Sequence, residues 1–558
     1  MGGPENKKLD KCVGAILGAA AGDALGWPYE QNSKNISKAT PKDKEMFKKW
    51  IRRDGGRFWS HEEEINPGEY SDDTQLIIAT ARSLRYGSNW SKYFSKVELP
   101  AWLSYERGGG GATKRAAEAW KRGNNPWSVE KEKKAAVEKY FNAGGNGVAM
   151  RILPHVFNNE NSFDEIMHQV VLNGIFTHGH PRALIGATVY ADALIYLLNN
   201  EKTLGYGELV EYLLNRKDNW SKFPKLQKMD SWLNVANEIL KNKYMALWDD
   251  VAEEVMNLLK IVKEGLDQGA LDMGNDVLER LGCFDRKING AGTVTAVAAI
   301  YLASKYASSP RLALTEAAYL KNADTDTLAS MVGGLLGILH GADFLSVSWL
   351  DVQDYEYLKK LIHLKPMEYE TMKAPLFDYQ NPEFKAKLKQ LKPGDKLTAL
   401  PFGQLVLKDK KLNKANAKGI IVNTLKFVSE EGQNVFIKTF ERGTEEKRVT
   451  PMQERIGQQP ANQQAMRQQQ AQINKAPVEN PNKLILNARK ISGLVNTLPE
   501  HLSSDLSFLF VGDVMAELER NGTGTIDQKG LNYLKEKWSK HRIDIKNIEK
   551  VVKVILYY

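Results

Sequence analysis

The stretch Val13-Gly14-Ala15-Ile16-Leu17-Gly18-Ala19-Ala20-Ala21-Gly22-Asp23-Ala24-Leu25-Gly26 places a glycine at every fourth position. Gly333, Gly337 and Gly341 repeat this spacing far along the chain. Residues four apart share one face of an α-helix, so each glycine ladder predicts a helix with one face free of side chains. An interior glycine costs up to about 1 kcal/mol relative to alanine, and close approach of another helix is the expected compensation.

Apolar residues with helical three-and-four spacing continue from residue 8 to about residue 372. The pattern is clearest over 76–79, 183–198, 293–306 and 328–344. Because alternating strand patterns are scarce in this region, we predict one large all-α domain over 8–372.

The remainder of the chain changes character twice. Short β-prone runs between 395 and 439, separated by Gly, Asn and Lys, predict a small β-rich module over 380–455. Residues 456–482, rich in Gln, Asn, Pro and Ala, predict a linker. Helical spacing returns over 483–558, where we predict a C-terminal helical module.

Composition excludes several classes of protein. Cys12 and Cys283 are the only cysteines, too few for a disulfide framework or a thiolate zinc site. The early Gly/Ala-rich stretch contains Asp23 and runs into Gly-Asp-Ala-Leu-Gly, so we do not expect a signal peptide. No uninterrupted apolar stretch is long enough to span a membrane. A cytoplasmic protein without a membrane partner is the expectation.

The net charge of +9 is unevenly distributed. Residues 381–558 hold 30 Lys+Arg against 19 Asp+Glu, which leaves 47 against 49 in the rest of the chain. The excess lysines either solvate the basic last third or attract an acidic partner, nucleic acid included. Both interpretations stay open on composition.

Two acidic clusters begin apolar helical segments: Ser71-Asp72-Asp73-Thr74 and Asp324-Thr325-Asp326-Thr327. Either cluster alone is typical of a helix N-cap. Together they form an oxygen-only ligand set that suits Mg²⁺ or Mn²⁺ rather than zinc. If the helices bring the clusters together, repulsion among four carboxylates requires cations between them, and a pair of ions would fit.

Two glycine-rich stretches, 108–111 and 144–147, each lead into a helical pattern. Free backbone N–H groups at helix starts bind anions, so either stretch is a phosphate cradle or simply a flexible loop. His178 follows an apolar segment and is expected to line a pocket. We assign no role to His180.

These residues, taken in order, resemble the ADP-ribosylglycohydrolase family, which includes the dinitrogenase-reductase-activating glycohydrolases. The resemblance covers about residues 8–350. It rests on five motifs: Gly18-x-x-x-Gly22-Asp23-Ala24-Leu25-Gly26-x-Pro28-x-Glu30, Ser71-Asp72-Asp73-Thr74, Gly145-Asn146-Gly147-x-x-Met150-Arg151-x-x-Pro154, Thr177-His178, and Ala323-Asp324-Thr325-Asp326-Thr327.

The resemblance implies a large orthogonal helical domain with two Mg²⁺ (or Mn²⁺) ions, which releases ADP-ribose from modified protein side chains. It implies metal ligation by Ser71, Asp72, Asp73, Asp324, Asp326 and Thr327. It makes Glu30 the mobile acidic residue near the metals, and Glu30 and Asp73 the catalytic residues. It places substrate contacts at Gly108, Gly110, Gly144, Gly145, Asn146, Gly147, Met150 and His178.

Three functions are compatible with this set. The first is a hydrolase acting on ADP-ribosylated protein, with ADP-ribose as product and an arginine or serine linkage as the bond cut. The second is a non-catalytic, regulatory protein that binds ADP-ribose. The third is an enzyme acting on ADP-ribosylated nucleic acid, docked by the basic last third. A typical family member ends soon after the second glycine ladder, so about 200 residues here belong to no recognised family.

Overall fold

The structure is a computed structural model that describes residues 4–30, 41–56, 58–128, 134–157, 162–225, 229–269, 275–369, 374–416, 419–442, 510, 514 and 528–539. The chain divides into two compact units, Met1–Val449 and Thr450–Tyr558. The predicted linker 456–482 lies outside the described residues, as does most of the predicted helical module 483–558. In the second unit the structure describes one helix, Gln528–Ser539, whose Trp538 ring lies 5.2 Å from that of Phe510.

The first unit is mainly helical. Its helices are α1 Pro4–Glu30, α2 Pro41–Lys44, α3 Asp72–Leu84, α4 Trp90–Tyr93, α5 Leu99–Trp102, α6 Gly111–Lys121, α7 Lys134–Phe141, α8 Leu153–Val156, α9 Phe163–Ile175, α10 Pro181–Asn199, α11 Glu208–Asn215, α12 Lys217–Ser221, α13 Asp230–Ile239, α14 Tyr244–Asp267, α15 Asp276–Leu281, α16 Gly292–Lys305, α17 Pro310–Ala318, α18 Thr325–His340, α19 Tyr355–Lys360 and α20 Pro382–Gln390. Most of the apolar residues of these helices join one buried core.

Helices α1 and α18 form the centre of this unit, because the two glycine ladders let their backbones touch. A Cβ added to Gly22 would lie 2.1 Å from the carbonyl oxygen of Ala329, and one added to Gly333 would lie 2.0 Å from that of Gly18. Side chains larger than hydrogen do not fit at such distances. The close approach predicted from the ladders is confirmed, and it places the start of α18 beside the end of α1.

An antiparallel sheet lies in the same unit. Its strands are β1 Trp50–Asp54, β2 His61–Ile65, β3 Lys396–Ala399, β4 Gly403–Ala415, β5 Ile420–Ser429 and β6 Asn434–Arg442. The strand order is β1-β2-β4-β5-β6, and β3 pairs with β4. The later strands occupy the β-prone runs singled out in the sequence, so a β-rich region follows the helical one as predicted.

The sheet also differs from the prediction, because β1 and β2 lie inside the stretch expected to be all helical. They join the later strands through the pairs His61↔Ala415 and Glu62↔Lys414. The inward positions of β1 and β2 include Arg52 and Glu63, which are buried as an ion pair. A strand whose buried face carries charges shows no apolar alternation, and the pattern therefore hid both strands. The boundary between helical domain and β module stays a prediction.

Among the described residues, α10 is long and apolar enough to cross a membrane by length and composition alone. Of its most apolar window, 83% is buried inside the protein. Its side chains belong to the shared core, as expected for a central packing helix.

Candidate active site

The first turn of α3 is fixed by a carboxylate from another helix. Ser71 is the N-cap, and its Oγ accepts a hydrogen bond from the backbone N–H of Asp73 at 3.3 Å. From α1, Asp23 accepts the N–H of Ser71 at 2.9 Å, the N–H of Thr74 at 3.0 Å and the Thr74 hydroxyl at 2.6 Å. Asp23 thus ties the first glycine ladder to the first acidic cluster.

The second acidic cluster forms the first turn of α18 and is held by the end of α1. Asp324 is the N-cap residue, and the Thr325 hydroxyl donates to the carbonyl of Gly26 at 2.8 Å. The Thr327 hydroxyl donates to Asp73 Oδ2 at 3.3 Å. This contact brings the two acidic clusters together. In the sequence analysis, their meeting is the condition for the two clusters to form one site.

Repulsion is the main electrostatic feature of the joined clusters. Asp72, Asp73 and Asp326 are almost fully buried, and burial is the main reason why their pKa values lie well above the ordinary value. Neighbouring carboxylates raise the pKa values further, led by Glu106 for Asp72, by Asp23 for Asp73 and by Glu30 for Asp326. Carboxylates crowded in this way favour a bound cation.

One carboxylate oxygen of the acidic clusters is also free to bind a cation. Asp73 Oδ1 is buried and has no hydrogen-bond partner. Buried polar atoms without partners are rare, and a bound ion is one of their ordinary explanations. Within the described residues, no three carboxylate, imidazole or thiol groups are already arranged around one point as metal ligands. The oxygen-only chemistry and the free oxygen fit a divalent ion, and the ion itself stays a prediction.

Glu30 lies at the end of α1, where its side chain keeps contact with solvent. Partial burial raises its pKa to about 7, with a further increase from the charge of Asp324 and an opposing effect from Arg52. A carboxyl group with a pKa near neutrality can both give and take a proton, which suits an acid or base. The catalytic role predicted for Glu30 and Asp73 is not tested by this geometry alone.

The first glycine-rich loop lies directly against the acidic clusters. Gly108 has φ +106°, and a Cβ added to it would lie 3.1 Å from Asp72 Oδ1. Gly110 is the N-cap of α6, with open space around the position of an added Cβ. An accessible helix start of this length offers free N–H groups to an anion.

The second glycine-rich loop, residues 144–147, also lies against the acidic clusters. Asn146 Nδ2 donates to Asp324 Oδ2 at 3.0 Å and to Thr295 Oγ1 at 3.1 Å. A Cβ on Gly145 would lie 3.9 Å from His178 Nε2, and one on Gly144 would lie 3.2 Å from His180 Nδ1. Both glycine loops therefore line the region around the acidic clusters.

A buried arginine connects this loop to His178. Arg151 donates to the carbonyl of Gly147 at 2.6 Å and to the Thr177 hydroxyl at 2.8 Å, and Thr177 Oγ1 lies 2.7 Å from His178 Nδ1. Burial is the main reason why the pKa of His178 falls to about 3, so the ring is neutral. Met150, predicted as a substrate contact, is buried beside this network.

A cavity of about 220 Å³ continues from this region between α6 and α7. Its lining includes Ala112, which follows the first glycine loop, Arg115, Tyr140 and Thr177, which precedes His178. His180, to which we assign no role from the sequence, caps α10 by accepting the N–H of Arg182 at 3.1 Å.

Sequence reasoning missed Glu106 and underrated Asp23. Glu106 accepts the N–H of Gly109 at 2.9 Å and pairs with Lys114 at 2.7 Å, and its charge acts on Asp72. Its position two residues before a glycine run was the available signal. Asp23 stands inside a glycine ladder, where a buried charge needs partners on a neighbouring element.

Comparisons with known proteins agree with this geometry. The family model described as ADP-ribosylglycohydrolase matches residues 4–374. The chain is 24% identical over 204 residues to "ADP-ribosylarginine hydrolase Tri1" of Serratia proteamaculans (strain 568), covering 35% of this chain and 50% of that protein. It is 28% identical over 185 residues to "ADP-ribosyl-[dinitrogen reductase] glycohydrolase" of Rhodospirillum rubrum, covering 31% and 52%.

One solved structure, titled "ADP-ribosylglycohydrolase-related protein complex", aligns with a TM-score of 0.40 and 21% identity, covering 65% of this chain and 100% of that chain. The chain spans about half the length of the two curated relatives named above.

Proposed function

The chain belongs to the ADP-ribosylglycohydrolase family, and from this premise we propose that it hydrolyses the glycosidic bond between ADP-ribose and a modified protein side chain. The observation that carries the proposal is the contact between Thr327 and Asp73, which joins two acidic clusters beside two glycine-rich loops. The name of the Serratia proteamaculans relative favours an arginine linkage, with serine as the other candidate.

Cleavage at the anomeric carbon passes through an oxocarbenium-like state. The N–H groups of the first turn of α6 and the glycine loop that contains Asn146 would hold the diphosphate, so that binding energy far from the reacting bond aligns the ribose. Glu30, with its pKa near 7, would take the proton from the attacking water or give one to the leaving group. His178, neutral and held by Thr177, would contact the adenosine side.

The residues that would hold two Mg²⁺ or Mn²⁺ ions are Ser71, Asp72, Asp73, Asp324, Asp326 and Thr327. When bound, such ions orient the ribose hydroxyls and lower the pKa of a bound water. The support in this chain is the mutual repulsion of the carboxylates and the free Oδ1 of Asp73.

A panel of substrates tests the proposal. ADP-ribosylated arginine, serine and nucleic acid are incubated with the full chain in Mg²⁺ and in EDTA, and free ADP-ribose is measured. We expect release from a protein linkage in Mg²⁺ only. ADP-ribose binding without release from any substrate would instead support the non-catalytic alternative, and release from nucleic acid alone would support the third function.

The Glu30→Gln variant sharpens the assignment of the acid or base. We expect turnover to fall about 100-fold, because a positioned proton-transfer group contributes on that scale. The affinity for ADP-ribose, measured by calorimetry, should change little. Equal turnover in variant and wild type would move the acid or base role to another residue.

A further inference from the structure

Strand β6 lies outside the family match but contacts the wall of the candidate active site. Phe436 and Lys438, two residues apart, share one face of the strand. The guanidinium of Arg107 lies 4.2 Å from the centroid of the Phe436 ring. Lys438 Nζ lies 2.9 Å from Glu63 Oε2 and also pairs with Asp54.

These contacts complete a balanced group that we call the ion-pair cluster: the cations Arg52, Arg107 and Lys438 with the carboxylates Asp54, Glu63 and Glu69. Glu63 is 1% exposed and contacts all three cations. Without Lys438, three carboxylates would face two cations. Removing one partner of a buried pair leaves a charge uncompensated, which is strongly destabilising locally.

The ion-pair cluster adjoins the acidic clusters through Arg107. This residue directly precedes Gly108, whose backbone lies against Asp72. The backbone N–H of Arg107 donates to Gln75 Oε1 on α3 at 3.2 Å. Two of its side-chain nitrogens, Nε and Nη1, are buried without a hydrogen-bond partner. The rings of Phe436 and Trp27, at 4.2 and 5.6 Å, lie over this guanidinium.

The beginning of β6 contacts the same wall at a second point. Asn434 donates its backbone N–H and its side-chain Nδ2 to Asp354 Oδ1, at 2.9 and 2.5 Å. Asp354 Oδ2 accepts the hydroxyl of Tyr70 at 2.6 Å. Tyr70 precedes Ser71, the N-cap of α3. Strand β6 therefore holds both segments that flank Asp72, the loop at Gly108 and the start of α3.

A separately folded docking module would not share a sheet and a core with the helical region. Strand β4 pairs with β2 of the helical region, and Phe402 and Phe427 share the core of the first unit with Tyr105. The β-rich region and the helical region thus form one buried structure.

We propose that strands β3–β6 are a positioning element of the hydrolase site, and that Lys438 is the positioning residue through which they fix Glu63, Arg107 and the Gly108 loop. The inference rests on the proposed function, since it is read out by release of ADP-ribose. It assigns a role to the region that follows the family match.

The test compares three full-length variants with the wild type on the ADP-ribosylated substrate identified above. In Lys438→Met, which keeps the length and removes the charge, we expect kcat to fall about 10- to 100-fold, because small misplacements of positioning groups cost this much. KM should change less than about threefold, since Lys438 does not touch the substrate. Lys438→Arg should restore most of the turnover. Lys414→Met is the matched control, because Lys414 pairs with Glu62 of the same strand β2 but is exposed.

The outcomes separate this inference from the proposed function. Wild-type kcat in a folded Lys438→Met protein would overturn the inference alone, and so would equal losses in Lys438→Met and Lys414→Met. Absence of turnover in the wild type would overturn both. If Lys438→Met does not fold, the charge-balanced variant Glu63→Gln/Lys438→Met replaces it; the same loss of kcat supports the inference, and full kcat overturns it.

Discussion

Two adjacent groups of charged side chains in the first unit, most of them buried or half-buried, differ in the balance of their charges. The acidic site contains Asp23, Glu30, Asp72, Asp73, Asp324 and Asp326, and none of these forms an ion pair with a lysine, arginine or histidine in the described part of the chain. The ion-pair cluster beside it contains three cations and three carboxylates. Burial raises the pKa values of Asp23, Asp72, Asp73 and Asp326 in the first group.

In the second group the neighbouring charges outweigh burial. Burial alone would raise the pKa of Glu63, but Arg107, Lys438 and Arg52 lower it to about 2. The pKa of Asp54 is also lowered, by Lys438 and Arg52. Buried charges that satisfy one another need no further ligand, whereas an unbalanced group is incomplete without one. For this reason we place the proposed chemistry at the acidic site and not at the adjacent ion-pair cluster.

The largest expected effect is on turnover when the unbalanced group loses a charge. For Asp73→Asn and Asp326→Asn we expect kcat to fall at least about 1000-fold, since removal of a group that acts in the transition state costs on this scale. The helical circular-dichroism signal should persist. Asp192→Asn is the matched control, because Asp192 is a fully buried carboxylate of α10 whose Oδ1 accepts the hydroxyl of Tyr212 at 2.9 Å.

Full activity in Asp73→Asn would remove the metal-centred interpretation of the acidic site. An equal loss in Asp192→Asn would show that any buried carboxylate of this unit is needed, and the comparison between the two groups would lose its meaning.

The sequence predicted much of the acidic site and little of the ion-pair cluster. The glycine ladders and both acidic helix starts are local patterns, so the sequence showed the two clusters but left open whether they meet; the contact between Asp73 and Thr327 joins them in the structure. The ion-pair cluster joins Arg52, Glu63, Arg107 and Lys438 from four separate segments. Each is an ordinary surface-type residue in its own segment. The pairing of β1 with β2 places Arg52 opposite Glu63, whereas Arg107 and Lys438 reach Glu63 only through the tertiary fold. Tertiary contacts between charged residues leave no periodic signal.

The second prediction concerns metal removal and pH. In EDTA, Glu30 has a folded pKa of about 7 against 4.5 when unperturbed, so the folded state binds its proton more tightly. For an acid whose pKa is raised by folding, stability is lost as pH rises from the unfolded value to the folded one. We expect the metal-free protein to melt at a higher temperature at pH 5 than at pH 8.

Mg²⁺ should remove most of this pH dependence, and at about 100 times its Kd it should add about 2.7 kcal/mol of stability at pH 8. Differential scanning calorimetry in EDTA and in Mg²⁺ measures both effects. Identical melting curves in the two buffers at pH 8 would contradict a cation site.

The third prediction concerns the balanced group and has the opposite sign. Glu63 has a folded pKa of about 2 against 4.5, so its contribution to stability is present above pH 4.5 and is lost as pH falls toward 2. We expect a loss of about 2 kcal/mol across that window, as a buried, paired carboxylate contributes on this scale. The Lys438→Met protein should lose less over the same window, because one of the charges that lowers this pKa is gone. If the loss of stability between pH 4.5 and pH 2 is the same in Lys438→Met as in the wild type, Lys438 does not stabilise the Glu63 carboxylate.

The smallest effect is expected where the same kind of pair is exposed. Lys414 pairs with Glu62 at 3.1 Å, and its side chain is 75% exposed, against 12% for Lys438. In urea unfolding at pH 7, Lys414→Met should cost about 0.5 kcal/mol or less, as is usual for surface pairs. Lys438→Met should cost about 3 kcal/mol, because it leaves Glu63 buried with a charge uncompensated. Both variants lose one lysine that pairs with β2, so net charge cannot account for a difference between them. If both variants lose the same free energy of unfolding, burial does not distinguish the ion-pair cluster from an ion pair on the protein surface. The contrast with the acidic site would then rest only on which charged residues each group contains.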